Sequence, residues 1–428
     1  MWRSWLNRPL SQWQCAVGWL ISTTLFVGGT QLLGGVTSGD ASDSINTAWA
    51  FAHGVPSCAY APGNQFGLPY IAPLYPLLSS GLAVLFRIGH GVTFPTQAQM
   101  GPHCSTAISA MYHWSLRSGA LRPTVELGYV GWMILVAGVV ALLRASGRGR
   151  SGWEPTTLVL VALVPSVSMC LHEYFHPQDL MAMGLVLGSL ASARRGEWVW
   201  TGVLLGLALA TQQFALLVLA PLVVIAPQHR LVRFLGASIA SFAIVTVPLM
   251  VVASPSALRA VLAGSGTTWD SGTLLDATHL QGPLLFIASR FLPIAAAMVL
   301  AWWSSDRLGG AVLEPVPLIS LIATSLCFRL VFEVNLWGYY FMAVGVLLVV
   351  LDVIRGRIRW SLIAWLALQP IAFRPVLGAI SSFGPERIPW LPLWSWQIVL
   401  VSGAIALAAS PLLSAARRPG PTAIAPSV

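Results

Sequence analysis

The chain has 428 residues, of which 56% are hydrophobic and only 9% are charged, and its mean hydropathy is +0.75. A soluble globular domain carries roughly a quarter charged residues, so this composition excludes an ordinary water-soluble protein. The basic residues behind the net charge of +9 are all arginines in small clusters, which is not the continuous stripe of a nucleic-acid-binding surface. Because lysine is absent, a Walker A phosphate loop and a Schiff-base lysine are also excluded.

Apolar runs long enough to cross a bilayer recur along the chain. A helical span needs about 20 mostly apolar residues, whereas the strands of a membrane barrel would be short and alternating. The sequence therefore predicts an all-α, polytopic transmembrane bundle of about 12 spans, formed by residues 1–416 as one domain, with a disordered cytoplasmic tail at 417–428. The first run, 13–35, follows two arginines and lacks a small-residue cleavage site, which indicates an uncleaved anchor.

The arginine clusters test these spans, because cytoplasmic loops of bacterial inner-membrane proteins are enriched in basic residues. With the N-terminus inside, every strong cluster from 144–150 to 417–418 falls inside, so both termini are predicted to be cytoplasmic and the protein to lie in the plasma membrane. Trp198, Trp200 and Trp302 stand at proposed span ends, as is typical of interfacial tryptophans. The later predicted spans are 126–143, 156–170, 180–193, two short spans within 198–227 broken near Gln212 and Gln213, 234–252, 283–303, 317–332, 339–351, 360–373 and 394–413.

Residues 37–123 form one large outer region in this topology. Within it, 69–86 has the length of a span but carries three prolines near its start, and a crossing there would move the later arginine clusters outside. We interpret it as a helix in the outer leaflet, with a true span and a return segment near 107–121 as the alternative. Cys58 and Cys104 lie in the same region, where an oxidising compartment permits a disulfide, and two free thiols are the alternative.

Three polar clusters on the predicted outer side are the candidates for chemistry, because ionisable groups near a membrane are costly. Asp40 and Asp43 follow the first span, where a carboxylate can take a proton from an attacking hydroxyl or simply cap the next helix. The other two clusters are 172–179, with His172, His176, Gln178 and Asp179, and 329–340, with Arg329, Glu333, Tyr339 and Tyr340.

Each of these two later clusters has alternative interpretations. His172 and His176 have the four-residue spacing of metal ligands on a helix, but Pro177 and the lack of a third ligand favour contact with a substrate phosphate or acceptor, and no cofactor is predicted. Arg329 and Glu333 share a helix face and can form a structural ion pair. Alternatively, Arg329 binds a lipid-linked phosphate through paired hydrogen bonds.

The first outer region resembles that of a membrane glycosyltransferase family. Asp40 is followed by Gly54, by Tyr60 and by Tyr-Ile-Ala-Pro-Leu-Tyr-Pro at 70–76, which contains Tyr75. This order is similar to the first outer loop of C-superfamily glycosyltransferases, most closely the polyprenyl-phosphate-mannose-dependent mannosyltransferases of mycobacterial type and their actinobacterial relatives. The span order and loop placement of most of the chain resemble the same family.

The resemblance implies an enzyme that moves a sugar, mannose or a pentose, from a polyprenyl-phosphate donor to a lipid or glycan acceptor at the outer face, among membrane lipids. Asp40 is the implied catalytic base, and counting back from Tyr60 favours Asp43 instead. The family's tyrosine one turn after this Asp is replaced here by Ser44 or Thr47. A transporter or flippase of lipid-linked sugars and a non-catalytic membrane scaffold are the alternative functions. The implied substrate-binding residues are Tyr60, Tyr75, His172, His176, Gln178, Asp179, Arg329, Glu333, Tyr339 and Tyr340.

Overall fold

A computed structural model describes residues 5–32, 74–85, 121–172, 175–253, 275, 280, 282–333, 336–372 and 393–417. Regular structure in these residues is helical, apart from one isolated antiparallel bridge between Pro9 and Ser151. The predicted all-α class is therefore confirmed. Several predicted site residues lie outside the described part of the chain, namely Asp40, Asp43, Cys58, Tyr60, Cys104 and the side chain of His172.

The described part of the chain contains fourteen α-helices of eight residues or more. Three 3₁₀ helices, Gln213–Ala215, Gly309–Leu313 and Gly338–Phe341, lie between them. In chain order the α-helices are α1 (Gln12–Leu32), α2 (Leu74–Leu85), α3 (Leu121–Ala145), α4 (Trp153–Ala162), α5 (Pro165–His172), α6 (Pro177–Arg194), α7 (Trp198–Leu209), α8 (Leu216–Ile225), α9 (Gln228–Ala253), α10 (Gly282–Leu308), α11 (Pro315–Phe332), α12 (Met342–Ile354), α13 (Trp360–Ala372) and α14 (Leu393–Ala416).

Five of these helices are long and apolar enough to cross a membrane, and α4 with α5 makes a sixth if the pair counts as one broken span. The long apolar helices support a membrane protein. The predicted count of about 12 also requires crossings by α1 and α6. It further requires crossings by four short helices, α7, α8, α12 and α13, which have 12, 10, 13 and 13 residues. At about 1.5 Å per residue these helices are shorter than the roughly 30 Å hydrocarbon core. The five long candidates are Gly128–Ala145, Gln228–Pro248, Ile287–Leu313, Pro315–Phe332 and Gln397–Ala416.

The run predicted as one span at 156–170 is two helices in the structure. α4 ends at Ala162, α5 begins at Pro165, and the pair is bent by 59°. Proline has no N–H to donate and its ring disfavours helical geometry in the preceding residue, so the helix stops before Pro165. The prediction of a continuous span was therefore wrong here.

The directions of the central helices follow from close glycine contacts. A Cβ added at Gly131 would collide with the carbonyl oxygen of Pro177, and one added at Gly138 would collide with that of Gly184. Both contacts join positions 46 residues apart, so α3 and α6 run parallel. Small residues allow such close helix packing, which is common between helices in membranes.

Arginine side chains tie several helix ends together at one end of the bundle. Arg148, just after α3, donates from Nε to the carbonyl oxygen of Ile354 at 3.3 Å, at the C-terminus of α12. Arg194, at the C-terminus of α6, donates to the carbonyl oxygen of Leu313, just before α11. Because α3 and α6 are parallel, both contacts lie at the same end. We call it the arginine end, and the opposite end the site end.

Exposed tryptophans lie near the helix termini at the arginine end, as interfacial aromatic residues do in membrane proteins. Trp198 departs from this pattern, because its ring is 4% exposed and packs edge-on against Phe234 at a centroid distance of 5.7 Å. Trp198 is nevertheless the first residue of α7, so its predicted position at a helix end is confirmed. Four other tryptophans at this end have more than half of their surface exposed: Trp13, Trp200, Trp302 and Trp360.

Helix α2 is the described part of the run predicted at 69–86. Its 12 residues extend about 18 Å, too short to cross a bilayer as one straight helix. The backbone N–H of Leu74 donates to the carbonyl oxygen of Ala210 at 3.0 Å, beside the break between α7 and α8. This contact holds the start of α2 against the site end.

Candidate functional site

Four interruptions in the helices lie at the site end, and each carries polar or aromatic side chains. They are the turn between α5 and α6, the 3₁₀ helix Gln213–Ala215 between α7 and α8, the C-terminus of α11, and the 3₁₀ helix Gly338–Phe341 before α12. Irregular backbone inside a membrane bundle is tolerated where it is buried in protein or lines a cavity. A convergence of four such interruptions therefore identifies a candidate functional site.

The turn before α6 is tight and conformationally unusual. Phe175 has a φ of 47°, in the left-handed region that a bulky residue rarely adopts. Its side chain is fully buried, and the backbone N–H of His176 donates to the carbonyl oxygen of Cys170. Pro177 then starts α6 with a φ already suited to the first helical position. Burial and this hydrogen bond together hold His176 and the first turn of α6 in place.

His176 connects the first turn of α6 to the segment before α12. Its ring stacks on Tyr339 with a centroid distance of 4.2 Å and an interplanar angle of 14°. The side-chain amide nitrogen of Gln178 lies 2.9 Å from Nδ1 of His176, and the Gln178 Oε1 is buried with no hydrogen-bond donor within the described ranges. Oδ2 of Asp179 lies 3.9 Å from the same Nδ1, beyond hydrogen-bonding distance.

Asp179 is a buried carboxylate whose hydrogen-bonding capacity is unused. Its side chain is 3% exposed, and neither carboxylate oxygen accepts a hydrogen bond from any residue that the structure describes. Three neighbours act on the carboxylate: the charges of His176 and Arg329 and the side-chain amide of Gln212. A buried polar group without a hydrogen-bond partner is rare and costly, so Asp179 is available to bind a hydroxyl or another donor from a substrate.

Arg329 lies in the last turn of α11 at the centre of the site. Its Nε donates to Oε2 of Glu333 at 3.1 Å, so the ion pair predicted from their spacing is formed. The guanidinium lies over the ring of Tyr340 at 4.0 Å and at 5.7 Å from that of Phe214, both favourable cation–π distances. Considering only the described residues, its two terminal amino groups have no acceptor. The ion pair therefore leaves the outer fork of Arg329 open for an anion.

Tyrosines complete one side of this arrangement. Tyr339 and Tyr340 meet edge to face with a centroid distance of 4.6 Å. Tyr75 on α2 is also at the site end, and its buried hydroxyl has no hydrogen-bond partner in the described segments. The structure thus brings together seven of the predicted residues, whereas it records no contact between them and Tyr75. Those seven are His176, Gln178, Asp179, Arg329, Glu333, Tyr339 and Tyr340.

Sequence reasoning missed two aromatic or charged contributors to this end of the bundle. Phe214 contacts Arg329 only because the chain breaks after α7, and a lone phenylalanine in an apolar run gives no signal for such a role. Arg290 did carry a signal, since an arginine inside the predicted span 283–303 is expensive and commonly functional. Gln212 was noticed as a break in the span but not as a neighbour of Asp179.

The site offers an anion-binding fork, aromatic faces and unpaired polar oxygens, which together suit a phosphorylated polyol. In the part of the chain that is described, no three His, Cys, Asp or Glu side chains are placed to hold a metal ion. Comparison with known proteins gives no matching family model and no similar curated protein. Function therefore has to be argued from the site itself.

Proposed function

We propose that the protein is an integral membrane glycosyltransferase that moves a sugar, mannose or a pentose, from a polyprenyl-phosphate donor to a lipid or glycan acceptor. The observation that carries the proposal is the open guanidinium fork of Arg329 beside the unpaired carboxylate of Asp179, at one end of an apolar helix bundle. A phosphate can take the fork, a polyprenyl chain can lie along the apolar helices, and a sugar hydroxyl can donate to the carboxylate.

In the proposed reaction, an acceptor hydroxyl oxygen bonds to the anomeric carbon of the sugar while the bond from that carbon to the phosphate oxygen breaks. The electron pair of the broken bond goes to the leaving phosphate, where Arg329 stabilises the developing negative charge. The hydroxyl proton goes to a carboxylate acting as general base. The family resemblance assigns that role to Asp40, with Asp43 as the substitute.

The remaining side chains of the site are assigned to substrate positioning. The Asp179 carboxylate and the Gln178 Oε1 are unpaired acceptors, and sugar hydroxyls are the donors they lack. His176 is stacked on Tyr339 and bonded to Gln178, so it fixes the orientation of both neighbours. A donor anchored by its lipid also accounts for a chain that has no lysine and hence no Walker A nucleotide site.

A transporter or flippase of lipid-linked sugars is the second candidate. It is favoured by the broken helices, because many transporters build binding sites from interrupted helices near the middle of the membrane. The 59° bend between α4 and α5 and the interruption between α7 and α8 are features of this kind. Transfer of the sugar to a new acceptor distinguishes the two candidates, since a transporter leaves the donor intact.

The test is transfer of radiolabelled sugar from polyprenyl-phosphate mannose, or a pentose analogue, into membrane lipids. Membranes containing the native chain are compared with Arg329→Gln, Asp179→Asn, Asp40→Asn and Asp43→Asn at equal abundance. Arg233→Gln and Asp306→Asn are the matched controls, because both side chains are exposed on helix segments near the arginine end. We expect transfer by the native chain and both controls, and at least about 100-fold less with Arg329→Gln. Failure of the native chain to transfer from any donor would overturn the proposal.

A further inference from the structure

Three connecting segments meet at the arginine end and carry five arginines that form no ion pair with a described residue. Pro9 of the N-terminal segment forms an antiparallel bridge with Ser151, in the connection between α3 and α4. From the same connection, Arg148 donates from Nε to the carbonyl oxygen of Ile354 at 3.3 Å, at the turn between α12 and α13. We call these five residues the arginine patch: Arg8, Arg148, Arg150, Arg355 and Arg357.

The backbone that carries the patch is held in unusual conformations. Arg150 has a φ of 54°, in the left-handed region that residues other than glycine rarely adopt. Its backbone N–H donates to Oε2 of Glu154 at 2.9 Å, and its carbonyl oxygen accepts from the N–H of Leu10 at 2.8 Å. Gly356 has a φ of 70°, and a Cβ added there would lie only 2.9 Å from Nη2 of Arg148, so that guanidinium rests directly on the turn. Strained backbone of this kind persists only where surrounding contacts impose it, and it is common at functional sites.

The described acidic residues of these segments are already paired. Glu154 is bonded to the side chain of Arg144, and Asp352 to that of Arg359. Residues 1–4 and 418–428 contain no Asp or Glu. The acidic residues outside the described ranges belong to connections between helix ends at the site end. Within the described chain, the positive charge of the patch therefore has no paired counter-charge.

Like charges in and beside the patch act on one another. Burial lowers the pKa of Arg355, and the positive charges of Arg357 and Arg359 lower it further, while Asp352 raises it. Such repulsion is unfavourable for the protein alone, and a bound anion offsets it. The rule that basic residues stay in the cytoplasm requires only their charge in a loop. It does not account for arginines that are held together at fixed backbone positions.

Exposed apolar and aromatic side chains continue from the patch along two helices, α1 and α13, which both pack against α5. α1 begins just after the N-terminal segment, and Trp13, Val17 and Leu20 form an exposed stripe on it at helical spacing. Trp360, the first residue of α13, is exposed and directly follows Arg359. A lipid with a charged head matches this order, because arginines bind the head, tryptophans lie at the boundary and the stripe contacts the chains.

We infer that the arginine patch binds the head group of an anionic phospholipid, preferring two phosphates to one, while the acyl chains lie along the exposed stripe of α1. Guanidinium groups form paired, charge-assisted hydrogen bonds with phosphate oxygens. Basic sites between the helices of membrane proteins bind the two-phosphate lipid cardiolipin. The charge of five arginines exceeds that of one phosphodiester, so a head group with two phosphates is favoured. The patch lies at the end of the bundle opposite the candidate site, and its ligand is independent of the proposed function.

The test is lipid binding to the full-length protein in a neutral detergent, measured by native mass spectrometry. The probes are cardiolipin, phosphatidylglycerol and phosphatidylcholine, with inorganic phosphate as competitor. The double variant Arg150→Gln/Arg357→Gln removes two exposed arginines of the patch. Its matched control is Arg233→Gln/Arg307→Gln, which removes the same charge from exposed positions on α9 and α10. We expect the patch variant to bind cardiolipin about 30-fold more weakly than the native chain, and the control to bind it within about threefold.

Unchanged cardiolipin binding by the patch variant would overturn the site, and so would equal losses in the patch variant and its control. Phosphatidylcholine bound as tightly as cardiolipin would exclude recognition of the negative charge. Displacement of cardiolipin by inorganic phosphate at equal concentration would exclude a lipid, and equal affinity for phosphatidylglycerol would overturn the preference for two phosphates. If the double variant does not fold, judged by its melting temperature, Arg357→Gln alone is compared with Arg233→Gln. A loss of about fivefold then supports the site, and equal affinity overturns it.

Discussion

Three buried carboxylates in the described residues differ in what surrounds them. Glu154 accepts hydrogen bonds from the side chains of Arg144 and Trp19 and from one backbone N–H. Asp352 accepts from both the backbone N–H and the Nε of Arg359. Asp179 accepts from no described residue. The first two carboxylates complete structural ion pairs. The third is buried without hydrogen bonds that would offset the cost of its burial, which is typical of functional residues.

This contrast predicts opposite effects of the same substitution. Asp352→Asn should destabilise the protein by about 3 kcal/mol, because it leaves Arg359 without its anionic partner. Asp179→Asn should leave stability unchanged or raise it, because it removes a buried charge that accepts no hydrogen bond from a described residue. The measurement is the melting temperature of each variant in detergent, relative to the native chain. An equal loss in both variants would make Asp179 a structural residue.

Residue spacing in the sequence predicted part of this picture. The four-residue interval between Arg329 and Glu333 predicts their ion pair, and that pair is present. The same interval cannot show that Arg329 bonds to Glu333 through Nε alone. Nor can it show that Tyr340 and Phe214, which belong to other segments, lie beside the guanidinium. The polar cluster 172–179 made Asp179 a candidate in the sequence, but it could not show that Asp179 lacks the hydrogen bonds that Asp352 has, because these depend on tertiary contacts.

At the scale of helices, breaks were predicted where polar residues interrupt apolar runs and were missed where only proline did so. Gln212 and Gln213 correctly indicated the end of α7, because two amides in an apolar run are costly to bury. Pro165 divides α4 from α5, yet the run around it is apolar on both sides and was treated as continuous. Close helix packing was also missed, because glycines at contacts and glycines facing open space look alike in the sequence.

The packing of α3 against α6 gives the second prediction. Gly138→Ala should destabilise the protein, because the added Cβ would meet the backbone of Gly184, which cannot move like a flexible side chain. Gly236→Ala is the matched control, since a Cβ there meets nothing within 4 Å and alanine favours a helix by about 1 kcal/mol over glycine. Melting temperatures should therefore fall for Gly138→Ala and stay level or rise for Gly236→Ala. Equal behaviour would contradict the close parallel packing.

For the whole molecule, the arginine clusters that include Arg148 and Arg194 lie at the end of the bundle opposite the candidate site. The alternation of arginine clusters along the sequence predicts this separation, and the parallel course of α3 and α6 agrees with it. What the sequence cannot provide is the meeting of residues as distant as 179, 212 and 329, because their sequence separations contain no information about contact. Which membrane face carries the site follows only from the rule that basic loops stay in the cytoplasm.

That sidedness is the third prediction, and it is tested by cysteine labelling in intact cells. Trp337 at the site end is 39% exposed and Asp306 at the arginine end is exposed, so each is replaced by cysteine in a background with Cys58 and Cys104 changed to Ser. The other native cysteines are buried and should stay unlabelled. A membrane-impermeant maleimide should label Trp337→Cys in intact cells, and Asp306→Cys only after permeabilisation. A lipid-linked donor for transfer at the outer face must reach the site from the outer side of the membrane. The reverse labelling pattern would place the site on the cytoplasmic side and would remove the reason for a polyprenyl carrier.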